Sequence, residues 1–246
     1  MFLLCSHSEF VDVYMPEQFC LPGLAPGKER DALFFAVLPD LERTLLITQL
    51  REQLCRDHGL EIRQLIAPEC FHLSLHAIGE YDGVPNDVVR RAEDAAALVS
   101  MPPFSIALDR AMSFLGKPDK RPFVLRAARQ SPELVALYGV LGDAMKRVGF
   151  RHVRLSGFTP HLTLLYQDRL VTEREIEAVR VDVRGFVLVH SLRGRGPNKH
   201  IPLAHWQLSQ SLQFGLEEAA SPVYAKPRSA VHQGVAVPQG VLNLPF

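Results

Sequence analysis

Phe71-His72-Leu73-Ser74-Leu75 is the stretch on which the fold is read, because its pattern returns as Pro160-His161-Leu162-Thr163-Leu164, with the two histidines 89 positions apart. Polar and apolar side chains alternate in both, the period of a half-buried β-strand. His72 and Ser74 then share one face over Leu73 and Leu75, and His161 and Thr163 share one over Leu162 and Leu164. Of the ten histidines in the chain, only these two have Ser or Thr two positions on. Alternate residues of a strand stand roughly 6.6 Å apart, which suits a phosphate held between imidazole and hydroxyl. If the two strands face each other, the histidines flank the phosphorus from opposite sides. Phosphodiester cleavage asks for this: one base for water and one acid for the departing oxygen, both titrating near neutrality. Two structural strands whose histidines satisfy backbone groups would show the same pattern, so the pattern alone leaves both readings open.

Outward from these strands, short apolar runs alternate with helical periods. Residues 32–38, closed by Pro39-Asp40, form an apolar run of strand length. Leu41, Leu45, Leu50 and Leu54 recur near helical spacing on a stretch of strong helix formers, which predicts a helix that stops at Gly59. The first motif falls in a strand over 70–78 that ends at Gly79, and a helix follows over 86–99. Strands over 104–108 and 123–127 flank a turn at 116–122, and 132–148 is a helix stopped by Gly149. The second motif falls in a strand over 161–166, and 173–179 reads as a short helix. Residues 185–191 read as a strand paired with 204–209 across the Gly194-Arg195-Gly196-Pro197 turn. This order suggests an α+β protein with two similar halves. Residues 1–30 and 211–246 carry Pro and Gly without a sustained period, so both read as irregular extensions of a core over 31–210.

Composition narrows the function classes. Lys plus Arg and Asp plus Glu number 27 each, and the pI is near 7.2, so no global field draws in long nucleic acid or an anionic membrane. Any nucleic acid must be held by a local site. Apolar residues at 47% and charged residues at 22% describe a folded, water-soluble chain. No run approaches the roughly 20 apolar residues of a bilayer span. Met1-Phe2-Leu3-Leu4-Cys5 has no basic lead and breaks at Ser6-His7-Ser8-Glu9, short of an export signal. A cytoplasmic monomer with no membrane partner is the expectation. Cys5, Cys20, Cys55 and Cys70 form no Cys-x-x-Cys pair and are expected to be reduced. No Gly-rich loop leads into Lys and Ser/Thr, so use of a nucleoside triphosphate through a P-loop has no support.

His72, His76 and His161 invite a zinc reading. A metal needs nitrogen donors within about 2.1 Å, yet four residues of strand set His72 and His76 roughly 13 Å apart. Neither a metal nor a cofactor is expected. On ideal alternation His76 shares the face of His72 and Ser74, at the rim of a phosphate site. The basic stretch 193–200 and the group Lys117, Lys120 and Arg121 read first as solvated turns and second as grips for an RNA backbone. Trp206 and most of the 14 phenylalanines read as core.

These residues resemble the 2H phosphoesterases, specifically the bacterial 2′-5′ RNA ligase or RNA 2′,3′-cyclic phosphodiesterase branch, whose mark is two His-x-[Ser/Thr]-x motifs near this separation. Leu33-Phe34-Phe35-Ala36-Val37 through Pro39 is similar to the family's first strand. Phe71-His72-Leu73-Ser74-Leu75 through Gly79-Glu80 resembles its first motif, and Phe158-Thr159-Pro160-His161-Leu162-Thr163-Leu164 its second. Phe186-Val187-Leu188-Val189-His190-Ser191 looks like a late core strand. The resemblance covers about residues 31–210. It implies a bilobal α+β fold, two antiparallel sheets flanking a central cleft with helices on the outside. It also implies metal-independent hydrolysis of RNA or nucleotide 2′,3′-cyclic phosphates to 2′-phosphates, with 2′-5′ joining of RNA ends in some members.

Carried onto this chain, His72 is implied as the proton donor and His161 as the base, with Ser74 and Thr163 orienting the phosphate and His76 and Tyr166 as further substrate contacts. Many members carry Arg five positions after the second motif histidine, where this chain has Tyr166. A phenol donates one hydrogen bond and brings no charge at neutral pH. Five is an odd offset, so an ideal strand turns position 166 away from His161; Tyr166 reaches a phosphate only if the strand bends or ends near Leu165. The departure keeps a second class open, an RNA-end or nucleotide-binding protein of the same fold with little turnover. RNA ends or small cyclic nucleotides are the expected partners in both.

Overall fold

Asp31–Val37, β1, is buried at every position, as an apolar run without alternation requires of a strand covered on both faces. The computed structural model describes residues 30–60, 64–117, 120–192 and 199–209. Of the expected extensions over 1–30 and 211–246, all but residue 30 lies outside the described residues, as does the Gly194-Arg195-Gly196-Pro197 turn. The first helix, α1 (Leu41–His58), starts where the Asp40 carboxylate accepts the Arg43 N–H at 2.8 Å and stops where Gly59 takes φ 55°, a left-handed conformation that glycine adopts at little cost.

Of the expected leucine stripe α1 buries Leu54 and packs Leu50 against the core, but not Leu41 and Leu45. Leu41 and Leu45 are 76% and 57% exposed, whereas Ile47, Arg51, Leu54 and Cys55 face the core. That set also has helical spacing, but it contains an arginine, and a polarity pattern passes over it. Arg51 is buried because its guanidinium donates to the Ile66 carbonyl at 2.6 Å and lies 5.3 Å from the Phe71 ring centroid.

The chain continues through β2 (Gln64–Leu65), a 3₁₀ turn (Pro68–Cys70), β3 (Leu73–Tyr81), α2 (Asn86–Ala97), β4 (Phe104–Ser113), β5 (Arg121–Arg126), α3 (Pro132–Arg147), β6 (Leu162–Gln167), β7 (Arg174–Val183), β8 (Gly185–Leu192) and β9 (Lys199–Gln207). The first-motif strand begins three residues later than expected, because Pro68–Cys70 turns first, and it runs on past Gly79. The short helix expected over 173–179 is instead part of β7, which pairs with β4 from Ala111↔Arg174 to Phe104↔Val183. Its Glu and Arg residues favour a helix in isolation, but Val181 and Val183 alternate into the core and pairing with β4 overrides propensity.

All described ladders are antiparallel, in the order β7-β4-β5-β6-β3-β1-β8-β9, with β2 beside β6. The two sheets expected to flank a cleft are therefore one. Four strands of that order lie on each side of a junction between β3 and β6, made at the single residue pair Leu73↔Leu162, and β2 adds a fifth beside β6. α1, α2 and α3 all contribute buried residues to one core with Leu33, Phe35, Leu73, Leu75, Leu162 and Leu164. The other face of β1 and β8 carries a smaller cluster of Ala32, Phe34, Ala36, Val187 and Val189.

Candidate active site

Leu73, Leu75, Leu162 and Leu164 are each at most 3% exposed and belong to the helix-side core. Alternation then turns His72, Ser74, His161 and Thr163 to the opposite face. Ser74 pairs with Ala36 of the small cluster on that face. The Leu73↔Leu162 pair fixes how the two motifs meet. Continued by one residue on each side, an antiparallel register sets His72 beside Thr163 and Ser74 beside His161. Each imidazole thus has the other motif's hydroxyl as its cross-strand neighbour.

Both histidines are held by the same device. His72 Nδ1 donates to the carbonyl of Cys70 and His161 Nδ1 to that of Thr159, each at 2.8 Å and each two residues back. A carbonyl only accepts, so Nδ1 keeps a proton and Nε2 is the atom that gains or loses one. Burial pushes the His72 pKa down to about 4, helped by His200 and His161 and opposed by the bond to Cys70. Burial also lowers that of His161, opposed by its bond to Thr159. An anion between them reverses the preference, because opposite charge favours imidazolium.

Position 166 reaches the histidine face through a β-bulge. Along β6 the partners step from Val124↔Thr163 to Phe123↔Leu165, so Leu164 is an extra residue and both Leu164 and Leu165 are fully buried. The next outward residue is Tyr166, now on the face of His161 and Thr163. The strand does not end near Leu165 but continues to Gln167. Lys120 brings a charge to this tyrosine, with Nζ 5.6 Å from its ring centroid.

A matching bulge in β3 moves His76 the other way. The partners step from Ala36↔Ser74 to Phe34↔Ala77, which leaves one extra residue between them, and Leu75 and His76 are both buried. His76 is therefore no rim residue beside His72 and Ser74; Ala77 takes that face. Its Nε2 donates to the Tyr138 carbonyl at 2.7 Å, and Tyr138 is sandwiched between His76 and Phe158 with both ring centroids at 4.0 Å. Gly142 admits this packing, since a Cβ there would stand 3.0 Å from the His76 ring.

The stack ties β3 and α3 to the segment that delivers His161. Gln130 reinforces it by donating to the Phe158 carbonyl at 2.6 Å. Arg51 serves the first motif similarly through Ile66 and Phe71. Beside the histidines stand Phe114, 5.0 Å from His161, and Phe34 and His200, 5.1 and 4.9 Å from His72 between ring centroids. On sequence alone His200 reads as part of a solvated hairpin tip; it lies instead in β9 against the first motif. Among the described residues, no three His, Cys, Asp or Glu side chains gather as a metal site.

A model of the 2′-5′ RNA ligase superfamily matches residues 37–195, more than half of the chain. Among solved structures, E. coli LigT complexed with NADP+ is 25% identical with a TM-score of 0.58, covering 74% of this chain and 100% of its own. E. coli LigT complexed with 3′-AMP is 27% identical over the same shares, with a TM-score of 0.59. A Thermus thermophilus protein, TT0787, shares the fold at a TM-score of 0.59 and 20% identity, covering 73% of this chain and 99% of its own. A search of curated protein sequences gives no significant match.

Proposed function

Because the chain belongs to the 2′-5′ RNA ligase superfamily, with its 2H phosphoesterase motifs, we propose that it is a metal-independent phosphodiesterase that opens RNA or nucleotide 2′,3′-cyclic phosphates to 2′-phosphates. The observation that carries this reading is the meeting of the doubled motif at Leu73↔Leu162, where two similarly held imidazoles share one face with two hydroxyls. His161 Nε2 takes a proton from water as the water oxygen bonds to phosphorus. The bond from phosphorus to O3′ breaks, and His72 gives its proton to O3′. The products are a 2′-phosphate and a 3′-hydroxyl, with the proton returned to His72 through solvent. Ser74, Thr163 and Tyr166 donate to the non-bridging oxygens. If the 5′-hydroxyl of a second RNA end takes the place of water, the same steps join the ends by a 2′-5′ linkage.

Tyr166, which lacks the charge of an arginine, favours one alternative: a binding protein for RNA ends or nucleotides with little turnover. Chelator-treated protein incubated with a 2′,3′-cyclic nucleotide separates the two. Release of the 2′-phosphate is expected. Binding without release would leave the binding protein, and activity lost on chelation but restored by zinc would overturn metal independence.

A further inference from the structure

His200 faces the site from outside both motifs. In β9 it pairs with Ser191 of β8, and Ser191 pairs with Ala32 of β1. Cross-strand partners share a face, and Ala32 belongs to the cluster with Phe34 on the histidine side of the sheet. The rings of Phe34, His72 and His200 close a triangle, with centroids 5.1, 4.9 and 5.5 Å apart and the His200 ring edge-on to both others. The first motif therefore has a second imidazole against its own, while the ring against His161 is the apolar Phe114. Among the charged or titratable neighbours of His200 in the described residues are His72, just before β3, the Cys70 thiol, which takes its backbone N–H, and Lys199 on its own strand.

We propose that His200 is a third phosphate-binding side chain, donating a ring N–H to a non-bridging oxygen of a phosphate bound beside His72. The proposal rests on the reading of this face as a phosphate site. It adds a donor to a face whose residue at position 166 is an uncharged tyrosine. Two imidazoles in edge contact resist joint protonation while the site is empty, and burial with His200 nearby already disfavours the charged form of His72. A phosphate placed between them favours the charged form of both.

The test uses inorganic phosphate and a 2′,3′-cyclic nucleotide on the full chain. His200→Phe keeps a ring against Phe34 and His72 but removes both nitrogens, whereas His200→Asn is smaller and keeps an N–H donor. The phenylalanine variant is expected to bind phosphate about tenfold more weakly, the loss of one charge-assisted hydrogen bond, and to raise KM by more than it lowers kcat. The asparagine variant is expected to fall between the two. Parent-like phosphate affinity in both folded variants would overturn the proposal, as would equal losses in both, which would point to packing. A parent that binds phosphate without turnover would refute the proposed reaction, yet the phosphate titrations would still decide the role of His200. A parent that neither binds nor turns over would refute both.

Discussion

The strand that carries His72 and the strand that carries His161 are built alike and furnished differently. Each turns two leucines into the core, ties its histidine to the carbonyl two residues back, and inserts an extra residue just after the motif. The bulge brings the fifth position after the histidine onto the histidine's own face, where the first strand has Ala77 and the second has Tyr166 with Lys120 above its ring. His72 lies against Phe34 and a further imidazole, while His161 lies against Phe114. The repeated backbone makes two equivalent proton-handling nitrogens, and the surroundings decide how they differ. In the proposed mechanism these surroundings suit His72, beside a second imidazole, to take up its proton only with an anion bound, and His161, beside an apolar ring, to act as the base.

The comparison breaks most plainly if either histidine is dispensable. His72→Ala and His161→Ala are each expected to lower turnover of a cyclic phosphate by a factor on the order of 10² to 10⁴ while the protein stays folded. A near-normal rate in one of them would end the paired mechanism. Next in size is Tyr166→Arg, which adds a charge on the same face. A new charge-assisted hydrogen bond contributes about 1.5–3 kcal/mol, so phosphate should bind at least about tenfold more tightly. Unchanged affinity and turnover in a folded variant would remove Tyr166 from the site.

The two bulges make a smaller, structural prediction. His76→Leu leaves the Tyr138 carbonyl without the bond it now accepts, and should cost about 1–3 kcal/mol of stability in denaturant unfolding. Ala77→Ser, one residue on and exposed, should stay within about 0.5 kcal/mol. Equal costs would mean that the bulge does not sort these neighbours onto opposite faces.

The smallest expected effect is on stability against pH. His72, His76 and His161 all have pKa values lowered by burial, against about 6.5 in an unfolded chain. Between those values the unfolded chain binds more protons. Their contribution is therefore present above about pH 6.5 and is lost as pH falls through the folded values, about 4 for His72. The melting temperature should drop between about pH 7 and 5, less steeply in His72→Asn and less steeply with phosphate added. The same slope in parent and variant would contradict the assigned shift.

Much of the fold was legible because period-2 alternation and apolar runs reflect burial directly. That placed β1, the two motif strands and β8, and Gly59 marked the end of α1. What stayed hidden depends on contacts between segments distant in sequence. The charged, β-branched stretch of β7 becomes a strand only because β4 pairs with it. Arg51 enters the core only because Ile66 and Phe71 come to meet it. At the site, the shared face of the two histidines and two hydroxyls was legible in period-2 alternation. The fates of His76 and Tyr166 did not, since one inserted residue reverses every face beyond it. His200 was hidden for another reason: strand pairing across three strands, not sequence distance, sets it beside His72.

The pH dependence of cyclic-phosphate hydrolysis, measured where chemistry limits the rate, tests the paired histidines most directly. One must be neutral and the other protonated, so kcat/KM should trace a bell. Because both free-protein values are lowered, its optimum should fall below about pH 6.5, and the kcat optimum should lie higher because the bound anion raises both. A profile flat from about pH 4 to 9 would contradict the account, because no pair of imidazoles titrates without leaving both limbs.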